Sequence, residues 1–199
     1  MAEKIYINTT GIGRVIKNRK TSASYIKHGD AVILTGSIGD HGMAIMNARV
    51  NLGFYGNLKS DCTPLNHMLR ACVEKCRGIH AMRDPTRGGL ATTLNELADS
   101  SGTGILIHED LIHINKAVES SCNIIGIDPL YVACEGKAVI ITDKKEAQKA
   151  VKILRQFKVG RKTGIIGEVI SKKGVYLKTE TGGIRPLFML EGDMLPRIC

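Results

Sequence analysis

Lys137-Ala138-Val139-Ile140-Ile141-Thr142-Asp143-Lys144-Lys145-Glu146-Ala147-Gln148-Lys149-Ala150-Val151-Lys152-Ile153-Leu154 is the stretch that decides the fold class. Residues 137–142 read as a short strand of the buried type, apolar in succession rather than in alternation. Asp143 stands where a helix N-cap belongs, and the apolar residues beyond it recur at helical spacing, predicting a helix to about residue 157. Upstream, residues 4–8, 31–36 and 104–107 read as further strands. Helices are expected over residues 43–52, from Pro64 onward with Leu65, Met68, Leu69, Cys72, Val73 and Cys76 on one face, from about Thr86, and over 115–125. Residues 11–27 read as a basic loop and 53–61 as a mobile, glycine-containing loop. Downstream, residues 163–170, 174–178 and 184–187 form three short strands divided by turn residues. Strands alternate with helices first and cluster afterwards, which predicts one α/β (α+β) domain with a mixed sheet over residues 1–191. Gly192 and Pro196 oppose a helix at the end, so residues 192–199 are expected to form a flexible tail whose last seven residues reach on the order of 20 Å when extended.

Composition narrows the function. A chain of 199 residues with 43% hydrophobic and 24% charged side chains suits a single well-packed core. Its net charge of +9 raises the question of nucleic acid. The basic residues are scattered, however, and the densest groups (Lys17, Arg19, Lys20; Lys144, Lys145, Lys149, Lys152, Arg155) fall in a loop and along one helix face. Aromatics make up only 4% and none is interleaved to stack bases, so no nucleic-acid partner is expected. No apolar run approaches membrane-spanning length and the first residues do not form a signal peptide, so no membrane association and a cytoplasmic location are expected. The six cysteines then read as reduced thiols, with Cys72 and Cys76 as buried small hydrophobes rather than half of a zinc site. The histidines are dispersed, and no metal site is expected from them.

Three places have chemistry-bearing composition. In Met82-Arg83-Asp84-Pro85-Thr86-Arg87-Gly88-Gly89-Leu90, Asp84 can cap a helix and Pro85 suits its first position. The bare backbone at Gly88 and Gly89 would let an anion approach the helix end, with Arg87 adding a charged fork. A tight strand-to-helix turn needing glycine explains the same residues. The loop Gly36-Ser37-Ile38-Gly39-Asp40-His41-Gly42 has a similar shape but lacks the P-loop ending, and reads more naturally as a turn. Glu135, in Ala133-Cys134-Glu135-Gly136-Lys137, sits on a glycine-bearing turn before a strand, where a carboxylate can serve as a base or simply face solvent. Composition alone leaves the terminal Cys199 an incidental thiol; prenylation would require it fourth from the end.

Gly39-Asp40-His41-Gly42, Lys59-Ser60-Asp61-Cys62-Thr63-Pro64-Leu65, Arg83 through Leu90, Cys134-Glu135-Gly136-Lys137 and Pro196-Arg197-Ile198-Cys199 together resemble the HypE family of hydrogenase maturation factors, over nearly the whole chain. That family belongs to the superfamily of aminoimidazole ribonucleotide synthetase and selenophosphate synthetase. The resemblance implies a PurM C-terminal-domain-like fold and Cys199 as the working thiol. It also implies a partner, the carbamoyltransferase HypF, that loads a carbamoyl group on that sulfur. ATP with Mg2+ would drive dehydration to a thiocyanate, with Glu135 as base. The cyano group would pass to iron in the HypC–HypD complex on the way to nickel–iron hydrogenase. Asp84, Thr86, Arg87, Gly88 and Gly89 would contribute to the nucleotide-phosphate region. Members carry a further N-terminal domain that forms most of a dimer core with an ATP site. The chain therefore reads as the C-terminal portion, expected to be a poor ATPase alone and a homodimer with that domain present. A docking module for the maturation partners without catalysis, and a related synthetase of the superfamily, are the alternatives.

Overall fold

The computed structural model describes residues 8, 10–13, 15–17, 19–50 and 58–190. Among the described residues seven strands form one sheet: β1 (Ala31–Leu34), β2 (Ile79–Arg83), β3 (Gly104–His108), β4 (Val139–Thr142), β5 (Gly164–Ile170), β6 (Gly174–Lys178) and β7 (Ile184–Pro186), in the order β2-β4-β1-β5-β3-β6-β7. Only β3 and β6 run parallel; every other neighbouring pair is antiparallel. The α-helices among the described residues are α1 (Asp40–Val50), α2 (Asn66–Lys75), α3 (Gly89–Ser101), α4 (Lys116–Ile125) and α5 (Lys144–Leu154). The expected mixed sheet of an α/β (α+β) domain is thus found, with the antiparallel character dominant.

The alternation of β1 and β4 explains their burial. Val32, Leu34, Val139 and Ile141 point to one face, where Leu90, Leu94, Leu97 and Ala98 of α3 cover them together with Ile105, Ile107 and Ile166. Ala31, Ile33 and Ile140 point to the other, against Met68, Cys72 and Val73 of α2 and Ala147, Ala150, Val151 and Leu154 of α5. A strand covered on both sides has no polar face to alternate, hence the unbroken apolar run. A smaller cluster of Met43, Val118, Cys122 and Val132 joins α1 to α4.

Two local readings need correction. β2 was not foreseen: His80 and Arg83 interrupt its apolar character, and as an edge strand it pairs only with β4 along the sheet. α3 begins at Gly89, not near Thr86, and no side chain caps it; Gly88 occupies the N-cap with φ 70°. Asp143, by contrast, caps α5 as expected, accepting the Lys145 N–H at 2.9 Å. The expected strand at 4–8 falls almost wholly outside the described residues, as do most of the 53–61 loop and the whole of the 192–199 tail.

Candidate functional site

The turn from β2 into α3 is built by close approach of backbone. Gly88 and Gly89 have φ of 70° and 62°, in the left-handed region that glycine adopts without a steric penalty. A Cβ on Gly89 would lie 2.6 Å from the Leu130 carbonyl oxygen, and one on Gly88 only 2.1 Å from the Thr92 hydroxyl. The space over both glycines is therefore filled by protein, on one side by the 3-10 turn Pro129–Tyr131 and on the other by α3 itself. Asp84 does not cap the helix; its carbonyl accepts the Thr93 hydroxyl at 3.4 Å. Arg83, closing β2, pairs with Glu96 of α3 at 2.5 Å. The Thr92 hydroxyl oxygen, buried against Gly88, finds no hydrogen-bond partner among the described residues.

The loop that carries Glu135 is pinned on both sides. The Cys134 N–H donates to the Pro85 carbonyl at 3.0 Å, fastening the loop to the Asp84–Gly89 turn. On the far side the Asp61 carboxylate accepts the Glu135 N–H at 3.0 Å and the Lys137 ammonium at 2.8 Å. Cys134 itself is wholly buried and its sulfur accepts the Gly39 N–H at 3.3 Å. Burial pushes its thiol up to about 12, against the opposing pull of that N–H, so it stays protonated. The Gly36–Gly42 loop lies beneath: the Asp40 carboxylate accepts the Ser37 hydroxyl and the Asn115 amide, and Gly42 leaves no room for a Cβ beside Val132. Its glycines serve a tight turn into α1.

These two loops meet at a polar cleft of about 380 Å³ lined by Arg83, Asp84, Thr86, Arg87, Thr93, Glu96 and Glu135. Asp84, Thr86 and Arg87 are thus brought together with Glu135, although half a hundred residues of helix and strand separate them in the chain. Gly88 and Gly89 shape the turn beneath but do not line the cleft. Arg83, Thr93 and Glu96, none of them a candidate from the sequence, line it too; the one-turn spacing of Thr93 and Glu96 on α3 is the local signal that could have joined those two. Among the described residues the lining offers no aromatic or large apolar side chain to a nucleobase, and no three His, Cys, Asp or Glu side chains group to hold a metal ion. Arg83 is engaged by Glu96 and the Thr93 hydroxyl by the Asp84 carbonyl, so Arg87 and the Thr86 hydroxyl are the groups of this lining suited to phosphate oxygens, and the Glu135 carboxylate beside them suits proton transfer. Cys199 lies outside the described residues.

A mixed, mainly antiparallel sheet with helices on both faces and a polar cleft at one helix entry defines a class of α/β domain. Residues 27–180 match the family of AIR synthase related protein, C-terminal domain, and the chain belongs to it. Among its relatives, a putative hydrogenase expression/formation protein of Methanocaldococcus jannaschii is 42% identical over 99% of this chain and 59% of its own length. The carbamoyl dehydratase HypE of Azotobacter vinelandii is 40% identical over 98% of this chain and 58% of its own. The chain therefore spans less than two thirds of these relatives, and the resemblance to HypE read from its motifs is borne out. A HypE crystallised in complex with ATP superposes with TM-score 0.85 at 39% identity, covering 90% of this chain and 55% of that one. The HypE of a HypE–HypF complex gives 0.83 at 39%, covering 85% and 56%. A thiamine monophosphate kinase of Aquifex aeolicus, 19% identical with TM-score 0.58, shares the fold alone; it covers 79% of this chain and 52% of that one.

Proposed function

We propose that this chain supplies the C-terminal domain of an ATP-dependent carbamoyl dehydratase of the HypE type, with Cys199 as acceptor thiol. The observation that carries the reading is the cleft itself, in which Arg87, Thr86 and Asp84 of one loop share a surface with Glu135 of another. HypE relatives near 40% identity, and the HypE solved with ATP, support it from outside.

In this reading HypF places a carbamoyl group on the Cys199 sulfur, and ATP supplies the phosphoryl group that turns the amide oxygen into a leaving group. Over the reaction two N–H protons leave the amide nitrogen, one as its oxygen is phosphorylated and one as the C–O bond breaks and phosphate departs. Glu135 is the carboxylate we assign to accept them. Arg87 and the Thr86 hydroxyl would hold phosphate oxygens, and Asp84 would brace their turn. Gly88 and Gly89 would shape the turn that presents Thr86 and Arg87, the Gly89 N–H itself donating to the Thr86 carbonyl at 3.0 Å. The cleft fits phosphate and amide and not adenine, so the nucleoside and the Mg2+ would be held largely by residues other than these. The resulting thiocyanate would deliver its cyano group to iron in a HypC–HypD complex. We place this chemistry in the cytoplasm, in a homodimer joined through the N-terminal domain.

Intact-mass spectrometry of the chain after incubation with HypF, carbamoyl phosphate and ATP tests the acceptor role. A carbamoyl adduct mapped to Cys199, lost in Cys199→Ala, supports it; a chain that docks without being modified supports a non-catalytic partner module. With the N-terminal domain of a HypE relative added, Glu135→Gln should still carry carbamoyl but form thiocyanate on the order of a hundredfold more slowly. Thiocyanate formed at the normal rate would remove Glu135 from the mechanism.

A further inference from the structure

We propose that Asp61 is the positioning residue for Glu135, holding it by the backbone so that its carboxylate meets the reacting amide. This rests on the assignment of Glu135 as base and adds to it a residue from a different part of the chain.

Asp61 lies in the stretch between α1 and α2, where Lys59, Ser60 and Cys62 beside it are exposed. Its own side chain is only 5% exposed. One carboxylate oxygen accepts the Glu135 N–H at 3.0 Å and the other the Lys137 ammonium at 2.8 Å, so a single group brackets Glu135 from both sides. Gly136, between the two bonds, has no room for a Cβ: it would stand 1.8 Å from the Asp61 carbonyl oxygen and 2.9 Å from the Thr63 methyl. The Lys137 stem in turn lies on Gly36, where a Cβ would meet its Cε at 2.7 Å. Glycines at 36 and 136 thus leave space for the bracket to close. The opposite side of the loop is fastened by the Cys134 N–H to Pro85 at 3.0 Å, which belongs to the other wall of the cleft. Removing the Asp61 bond would release the Glu135 backbone N–H on one side while the Pro85 bond kept the loop fastened on the other.

A buried ion pair is poor evidence for stability, because the desolvation of both charges offsets their attraction. Packing alone would be served as well by two apolar side chains. What only an acceptor at position 61 provides is a fixed direction for the Glu135 backbone, and a catalytic group displaced by about 1 Å can lose on the order of a hundredfold in rate.

Two double variants separate these roles, since both delete the ion pair without stranding a charge. Asp61→Asn with Lys137→Met keeps an oxygen for the Glu135 N–H; Asp61→Ala with Lys137→Met does not. Amide hydrogen exchange on the chain alone is the first readout. The Ala/Met variant should exchange the Glu135 N–H about tenfold faster or more while the β4 amides stay protected, and the Asn/Met variant should resemble wild type. The second readout is thiocyanate formation with HypF, ATP and the N-terminal domain of a HypE relative. There kcat should fall roughly tenfold to a hundredfold in the Ala/Met variant with little change in KM for ATP, and recover in the Asn/Met variant. Unchanged Glu135 protection in the Ala/Met variant, or equal losses of kcat in both variants, would overturn the proposal. A Glu135→Gln protein with normal turnover would instead overturn the assignment of the base, whatever the exchange data show.

Discussion

At the residue scale the site depends on which groups are kept neutral and which are held charged. Cys134 adjoins Glu135 yet is shut away, its thiol pushed up to about 12 by burial. Because its folded value lies above the ordinary value of 9.0, the folded chain holds a proton that the unfolded chain loses between pH 9 and about 12. Its contribution to stability is complete below pH 9 and is lost as pH rises through that window, at about 1.4 kcal/mol per pH unit. Urea unfolding followed from pH 8 to 11 should show falling stability, with a shallower decline in Cys134→Ala. Below pH 9 a thiol reagent should label exposed Cys62 and spare Cys134 in the native protein. Glu135 was legible as a candidate from its glycine-flanked place before a strand. Asp61 was not, because its meaning lies in contacts 74 and 76 residues away that no local spacing records.

At the scale of elements, the long and regular pieces were readable and the short or interrupted ones were not. The cap of α5 could be named from Asp143 because capping is a contact of two residues' separation. β2 escaped notice because its ladder partner, β4, supplies what its own residues lack in apolar character. The glycines of the turn into α3 suit either an approaching anion or a tight strand-to-helix turn, and the backbone of Leu130–Val132 pressing on Gly89 favours the tight turn there. This makes Gly89 a test of the element. Gly89→Ala adds a Cβ at φ 62° and 2.6 Å from a carbonyl oxygen, and should destabilise the protein by at least about 2 kcal/mol. Urea denaturation measures that loss, and a change under 0.5 kcal/mol, about the size of an ordinary surface substitution, would contradict the packing argument.

For the whole molecule, β1 and β4 are paired on both edges and have both faces covered, so the two cores share these strands. Neither core can open without exposing the other. Native-state hydrogen exchange should therefore find amides of β1 and β4 exchanging only by global unfolding, while those of β7, whose three residues are all exposed, exchange sooner. Two separated unfolding transitions would argue against one cooperative unit. The amino-acid sequence by itself determined the α/β class, the strands buried on two faces, the helix after Asp143 and the residue types suited to phosphate and proton transfer. It could do so because periodicity, capping and side-chain chemistry act within a few residues. Only the tertiary structure decided that the Asp84–Arg87 turn and Glu135 line one cleft, that Gly88 and Gly89 stay behind its wall, and that Asp61 reaches across to hold Glu135. Those facts follow from the order in which strands pair, and strand order is settled by packing distant segments together.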